Sequence, residues 1–237
     1  MKKKLTLKIL RTLFLVFLFF FSYNSTSIAS EEEYIEIIDL IKASNSALKI
    51  ISKNEDLKDF KKYLTNSKAI LIFPEVYEGS FFFGAKGGNG ILLIKNGGDW
   101  SGPFFYTIGG VSVGLQFGIK SGKVVMTVMS NRGLKSILKE RVKLGVDIDA
   151  AVADQGLGFS AETTLRLADV FSFSDNSGLF LGGSFEGTYL QPRNDFNTII
   201  HKKELTADDI LKSNLSHISI KDISESFNKI ISKISGK

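Results

Sequence analysis

One stretch of the sequence has the spacing of a catalytic motif. Residues 109–118 read GGVSVGLQFG and contain a G-x-S-x-G match centred on Ser112. In serine hydrolases this pattern holds a nucleophile on a sharp turn between a strand and a helix. Here apolar residues keep alternating after Ser112 as far as Ile119, which predicts a continuing strand. A triad also needs a histidine, and His201 and His217 both fall in a tail that we predict to be helical. The sequence therefore predicts a non-catalytic protein.

The small residues around this serine have a structural interpretation. Gly110, Ser112 and Gly114 share one face of the predicted strand, because successive side chains point to opposite faces. A column of small residues lets a second layer or a ligand approach the strand closely. We therefore retain, as an alternative interpretation, a cavity for one apolar molecule beside Gly110, Ser112 and Gly114.

Two other motifs also fail when their context is considered. The run GAKGGNG at 84–90 looks like a phosphate-binding loop, but the strand-like ILLIK follows it, so we predict a hairpin turn. Asp147, Asp149 and Asp154 lack the oxygen ligand and the glycine that an EF-hand calcium loop requires. With no cysteine and two separated histidines, a zinc site is not expected. We predict neither a metal nor a cofactor.

The N-terminus has the layout of a secretory signal peptide. Basic residues precede an apolar run at 12–21, and the polar segment YNSTSIAS follows it. We expect cleavage after Ala29, so that residues 1–29 form the leader, with export to a bacterial periplasm or envelope. A retained membrane anchor is the alternative, although the apolar run is shorter than the ~20 residues that span a bilayer.

The net charge of the whole chain does not describe the part that follows the predicted leader. It is +5, from 30 basic and 25 acidic residues, but the leader carries five basic residues and no acidic one. The remainder is neutral, with 25 of each, and gives no indication of nucleic-acid binding. Within it the charge is uneven, since residues 120–143 hold seven basic residues and only Glu140 as an acid.

The periodicity of apolar residues predicts an α+β fold. Residues 31–66 have helical spacing, and the tail from about Arg193 returns to it. Between them, glycine-rich apolar runs predict a meander of antiparallel strands, forming a sheet or a barrel-like structure, with one inserted helix at 131–142. Further strands are expected near 145–153, 159–173 and 178–190. We assign residues 30–200 to one domain and residues 201–237 to a C-terminal helical extension.

A series of motifs, taken together, resembles a known family. They occur in the order SKAILIFP (67–74), GAKGGNGILL (84–93), WSGPFFY (100–106), GGVSVGLQFG (109–118), VVMTVMSNRGLKSIL (124–138), KLGVD (143–147) and GLFLGGSFEG (178–187). This set resembles the SYLF family of lipid-binding domains in a secreted bacterial form, over about residues 40–200. The resemblance implies a non-catalytic lipid-binding domain. Eukaryotic relatives bind phosphoinositides, and some bind actin. In an exported bacterial protein, the corresponding ligands are anionic phospholipids such as phosphatidylglycerol or cardiolipin.

The candidate lipid-binding residues follow from charge and aromatic character. Basic side chains attract an anionic membrane surface, and exposed aromatic side chains can sit at its interface. The candidate headgroup ligands are Lys120, Lys123, Arg132, Lys135, Lys139 and Arg141, and the candidate interfacial aromatics are Trp100, Phe104 and Phe105. Two alternatives remain: a carrier of a single apolar ligand, and a structural envelope protein that binds other proteins.

Overall fold

The computed structural model describes most of the chain after the predicted leader. It covers residues 31–57, 59–80, 83–113, 118–139, 141–152, 168–176, 187–212 and 218–236. The chain divides into two units, residues 1–39 and 40–237. Several sequence predictions lie outside the described residues: the signal peptide at 1–29, the strands at 159–167 and 178–186, and the positions of Gly114, Glu140, Asp154 and His217.

The N-terminal segment is helical, as its periodicity predicts. Helix α1 spans residues 31–53, of which 31–39 belong to the first unit. A 3-10 turn at Glu55–Leu57 and helix α2 at Phe60–Asn66 follow. Phe60 and Leu64 of α2 are buried at a spacing of four residues, so one stripe of this short helix faces the core.

Eight strands form one mixed sheet, which confirms the α+β class. Their order is β5-β8-β3-β2-β1-β4-β7-β6, and every pair is antiparallel except β6 with β7. The prediction of a simple meander is wrong, because β4 pairs with β1 and not with β3, β7 pairs with β4, and β8 pairs with β3 and β5. The strands are β1 (Ala69–Ser80), β2 (Phe83–Asn96), β3 (Asp99–Val113), β4 (Gly118–Val128), β5 (Val142–Lys143), β6 (Ala150–Val152), β7 (Val170–Ser174) and β8 (Thr188–Pro192).

Helices lie between and after the strands, as expected. Helix α3 at Asn131–Ile137 is the inserted helix, and α4 (Asn194–His201), α5 (Ala207–Lys212) and α6 (Ile218–Ser235) form the tail. Within the parts of the chain that are described, none of the helices has the length and apolar character needed to cross a bilayer.

The predicted hairpin turn at GAKGGNG is wrong, because strand β2 runs through it without interruption. Two of its glycines, Gly88 and Gly90, allow a close approach between strands. A Cβ atom at Gly88 would lie 2.3 Å from the carbonyl oxygen of Glu75, and one at Gly90 would lie 2.4 Å from that of Ile72. Strand β1 has its register shift against β2 between Ile72 and Tyr77, so only glycine fits β2 beside this bulge.

The inserted helix is shorter than its apolar pattern predicts. The side chain of Ser130, not that of Asn131, caps it by accepting a hydrogen bond from the N–H of Gly133. The helix ends at Ile137, and Val142, the last residue of the predicted helix, begins strand β5. Val142 is still buried, because the sheet covers it instead of the helix.

The two faces of the sheet have different coverings. The face that carries Leu71, Phe104 and Met126 packs against Leu134 and Ile137, and we call it the α3 face. On the other face, here the α2 face, Phe60 of α2 packs edge-on against Phe173, and Tyr63 contacts Phe171. Phe196 of α4 covers Phe105 on this same α2 face.

Strand β3 lacks a neighbouring strand along part of one edge, and α6 covers this gap. Asn228 accepts from the N–H of Trp100 at 2.7 Å and donates to its carbonyl oxygen at 3.0 Å. Ser224, one helical turn earlier, donates its hydroxyl hydrogen to the carbonyl oxygen of Gly102. Side chains four residues apart lie on the same face of a helix, so α6 presents both to the strand.

Helix α4 repeats the arrangement a few residues further along β3. Asn197 accepts from the N–H of Phe105 at 2.8 Å and donates to its carbonyl oxygen at 3.1 Å. His201, again four residues away, donates from Nε2 to the carbonyl oxygen of Pro103 at 3.0 Å. The side chains of two helices thus take the place of a missing strand.

Replacing Asn197 by leucine tests this interpretation. We expect Asn197→Leu to lower the free energy of unfolding by about 1–3 kcal/mol, because the buried N–H of Phe105 would lose its acceptor. Urea unfolding of purified protein measures this change. Thr198→Leu, at the neighbouring exposed position of the same helix, is the control and should have little effect. Equal stability of the two variants would contradict the edge-capping role.

Candidate functional site

Ser112 does not lie in the geometry of a nucleophile elbow. It pairs with Gly84 inside the β-ladder, and Val113 after it still belongs to strand β3. His201 bonds the carbonyl oxygen of Pro103, which is nine residues earlier in the same strand, or about 30 Å away at the usual rise per residue. Of the two histidines, the one that is described therefore cannot act on Ser112.

The space beside Gly110 is filled by a side chain from the next strand. A Cβ atom at Gly110 would lie 3.0 Å from Cε of Lys86 and 3.0 Å from the carbonyl oxygen of Gly187. Lys86 is 7% exposed. Its burial lowers the pKa of its ammonium group, and the charge of Glu78 opposes this shift. The expected cavity therefore gains no support at Gly110.

The three candidate interfacial aromatics are core residues. Trp100, Phe104 and Phe105 are 5%, 0% and 0% exposed. The ring of Phe104 stacks on that of His201 with centroids 5.4 Å apart, and Phe105 packs edge-on against Phe196. This placement does not support a membrane-contacting role, because both faces of β3 are covered at this end of the strand.

Part of the candidate basic set is engaged in ion pairs. Lys123 lies 3.1 Å from Asp175, and the same carboxylate accepts from the backbone N–H of Lys123 at 2.6 Å. Arg132 donates to Asp149 at 2.7 Å and to Asp169 at 2.5 Å, and these hydrogen bonds raise the pKa of its guanidinium group. Lys123 and Arg132 are therefore largely neutralised by their neighbours.

Lys120 is also separated from the rest of the basic set. In strand β4, Lys120 lies directly across from Glu78 of β1. Lys120 also has an interaction partner in the structure. Directly paired residues point to the same face of a sheet, which here is the α3 face that holds Val76 and Val124. Opposite charges on neighbouring strands attract, which again reduces the charge available to a ligand.

The remaining cations lie close together in sequence, at the end of α3 and just after it. Lys135 and Lys139 are exposed and four residues apart, and no ion pair is found for either among the described residues. Arg141 follows two residues later, within about 7 Å along the chain. Its guanidinium carbon lies 3.6 Å from the centroid of the Tyr189 ring. We call Lys135, Lys139 and Arg141 the basic cluster.

Tyr189 is a functional candidate that the sequence analysis missed. It lies in strand β8 opposite Lys143 of β5, and its ring covers Gly109 of β3. Cation–π stacking orients Arg141 without neutralising its charge, so the guanidinium remains available to an anion. The only sequence signal was a tyrosine in a short apolar run, which does not reveal the arginine 48 positions earlier.

No arrangement for metal-dependent chemistry appears in the described part of the chain. Groups of three or more His, Asp or Glu side chains that could hold an ion are absent from those residues. The exposed cations and the exposed surface around them can bind an anion, but they include no nucleophile with an adjacent base.

A family model matches more than half of the chain. The family is Ysc84, described as Las17-binding protein actin regulator, and its model matches residues 109–233. The match includes the end of strand β3, strands β4 to β8, the basic cluster, helices α3 to α5 and most of α6. No solved structure matches the chain.

Curated relatives are similar over about two thirds of this chain. "SH3 domain-containing YSC84-like protein 1" of Bos taurus is 30% identical over 165 residues, which is 68% of this chain and 48% of that protein. The Xenopus laevis protein of the same name is 31% identical over 62% of this chain and 45% of its own length. "LAS seventeen-binding protein 3" of Saccharomyces cerevisiae is 26% identical over 64% and 34%. The chain thus spans half or less of the length of these relatives.

The assignment of Arg132 to a structural network can be tested through its acceptor. Asp169 is buried and accepts from the hydroxyl of Ser130, from Arg132 and from the N–H of Asp149. We expect Asp169→Ala to lower the free energy of unfolding by about 2–3 kcal/mol, because charged hydrogen bonds are lost.

The matched control for Asp169→Ala is Asp208→Ala. Asp208 has one exposed ion pair, with Lys212, which contributes less than about 0.5 kcal/mol. Chemical denaturation of both variants measures the difference. If the Asp169→Ala and Asp208→Ala variants unfold at the same denaturant concentration, the network does not stabilise the fold. Arg132 would then again be a candidate headgroup ligand.

Proposed function

Because this chain belongs to the Ysc84 family, which is the SYLF family that its motifs resemble, we propose that it is a non-catalytic binding module for anionic phospholipid headgroups. The site is the basic cluster of Lys135, Lys139 and Arg141. The predicted export makes a bacterial envelope the place of action. The family is described by binding and regulation, not by a reaction.

The observation that carries this proposal is the difference among the basic residues. Lys123 and Arg132 are paired with carboxylates, whereas Lys135 and Lys139 are exposed without an ion pair among the described residues. Arg141 is held by an aromatic ring instead of an acid. Lys135 lies in the last turn of α3, where the helix dipole favours a cation.

The expected affinity is modest and depends on salt. Each basic residue near an anionic membrane contributes about 1 kcal/mol, so three converging residues give about 3 kcal/mol. Counterions screen such attraction within a Debye length of about 8 Å at physiological ionic strength. The rest of the chain after the leader has no net charge, so binding should depend on this cluster and not on the protein as a whole.

A protein ligand is the second candidate, and one observation favours it. The family description names Las17 binding and actin regulation, and a relative is named as a Las17-binding protein. The exposed side chains of the basic cluster could equally meet an acidic protein surface. A carrier of one apolar molecule is favoured less, since Lys86 occupies the space beside Gly110.

Flotation with vesicles distinguishes these candidates. We expect the protein to float with vesicles of phosphatidylcholine and phosphatidylglycerol at low salt, to be released at high salt, and not to float with phosphatidylcholine alone. Binding to both kinds of vesicle that is insensitive to salt would favour an apolar ligand. Failure to bind either would remove the lipid proposal and leave the protein ligand.

Charge reversal tests the assignment of the site. The triple variant Lys135→Glu, Lys139→Glu and Arg141→Glu should lose binding to the anionic vesicles, because attraction becomes repulsion at the surface. The matched control reverses three other exposed lysines, Lys62, Lys68 and Lys229, and changes the net charge by the same amount. The control should retain most of the binding. Equal losses in the two variants would mean that net charge, not the cluster, determines affinity.

A further inference from the structure

At one end of the α2 face, the described part of the chain leaves apolar side chains exposed. Ile119 of β4, Val111 of β3 and Tyr77 of β1 are 85%, 71% and 53% exposed, although residues on the same face nearer α2 and α4 are buried. Single exposed apolar residues are ordinary on protein surfaces, but several neighbours on one face usually mark an interaction site.

These side chains lie in two adjacent cross-strand rows. One row runs Val111, Ala85, Gly79, Ile119 across β3, β2, β1 and β4, and the next places Tyr77 beside Gly87 and Ser121. Paired residues point to the same face, so all of them project from the α2 face. Because neighbouring strands are about 4.8 Å apart, Val111 and Ile119 are separated by about 14 Å.

The floor between the projecting side chains is flat and open. Gly79 has nothing within 4 Å of the position a Cβ atom would take, and Gly87 has only the carbonyl oxygen of Ile108, at 3.9 Å. Ala85 between them is exposed. We call this surface, formed by Tyr77, Gly79, Ala85, Gly87, Val111 and Ile119, the apolar ledge.

The apolar ledge borders Arg141 of the basic cluster. Tyr189 lies in the same cross-strand row as Gly109, Gly87 and Tyr77, and its ring carries the Arg141 guanidinium. Lys143, opposite Tyr189, adds a second exposed cation at this border. Two acids of the described residues contact this region: Asp147 accepts from the backbone N–H of Lys143, and Glu75 hydrogen-bonds the hydroxyl of Tyr77.

We propose that the apolar ledge enters the interfacial region of an anionic bilayer while Arg141 and Lys143 contact the phosphates beside it. This inference rests on the proposed lipid-binding function and names the surface that lies against the membrane. In a bilayer interface, the phosphates lie outside the boundary of the acyl chains. A surface whose cations lie beside exposed aliphatic and tyrosine side chains has the same order of charged and apolar groups. This insertion removes the side chains of Ile119 and Val111 from contact with water.

Tryptophan fluorescence with brominated lipids tests the depth of this surface. Ile119→Trp places a probe on the ledge, and Leu211→Trp places one on α5, whose Ile210 belongs to the core of the α3 face. The native Trp100 is buried at the other end of β3, about 36 Å from Val111, and is an internal control. Vesicles of phosphatidylcholine and phosphatidylglycerol carry bromine on their acyl chains.

We expect quenching of the Ile119→Trp probe alone. If the protein floats with these vesicles and the Ile119→Trp probe remains unquenched, the ledge proposal is overturned and the headgroup function stands. Equal quenching of Leu211→Trp also overturns it, because contact would not be specific to the ledge. If none of the proteins floats with the vesicles, both the function and the ledge proposal fail.

A second pair of substitutions checks the energetic contribution of the ledge. Val111→Thr combined with Ile119→Thr keeps β-branched side chains in both strands, so the fold should persist, which circular dichroism can verify. We expect about tenfold weaker binding to the anionic vesicles, because apolar burial is lost. Unchanged vesicle binding would overturn the proposal. So would loss of an oligomer measured without lipid by analytical ultracentrifugation, since the ledge would then be an interface between copies of this chain.

Discussion

The backbone of β3 between Trp100 and Phe105 must be hydrogen-bonded on both edges, and a strand lies along only one of them. Two asparagines, a serine and a histidine supply the other edge, in pairs four residues apart on α6 and α4. This requirement fixes both helices against the sheet, and the burial of Phe227 and Ile231 strengthens the attachment of α6. It also closes a strand edge that could otherwise pair with another chain.

The bulge in β1 decides which side chains reach each face of the sheet. Between Phe73 and Val76 the strand has one residue more than β4 opposite, so Val76 lies on the α3 face together with Phe73. Every residue beyond the bulge is shifted accordingly, and Tyr77 therefore projects from the α2 face. If β1 alternated regularly through this segment, Tyr77 would point to the α3 face, whereas Val111 and Ile119, which lie in β3 and β4, would still project from the α2 face. The bulge therefore adds Tyr77 to the exposed apolar residues of the α2 face.

Local periodicity predicted the elements well, because helix and strand spacing are properties of the chain itself. The spacing of Phe60 and Leu64 indicated helix α2, but the alternation up to Ile119 predicted one continuous strand, whereas β3 ends at Val113 and β4 begins at Gly118. Glycine-rich segments were ambiguous, since glycine permits a turn and also permits a close approach, and only the partner strand reveals that Gly88 serves the latter. The faces of Phe104 and Phe105 were equally invisible to local reasoning, because their covers come from α3 and α4.

The basic residues between 120 and 143 show that prediction from sequence is limited in the same way for the candidate site. Sequence counts charges, but the acids that pair with Arg132 and Lys123 lie between 17 and 52 residues away. Folding pairs these two cations with acids and leaves Lys135, Lys139 and Arg141, and the proposed attraction of about 3 kcal/mol from these three would give only weak, reversible binding by itself. An exposed Ile119 in a strand is a liability for aggregation unless something uses or protects it. Under the proposed function, the cations beside the apolar ledge do both: they repel other copies in water and bring the ledge to an anionic surface. The two features are therefore better explained together than separately.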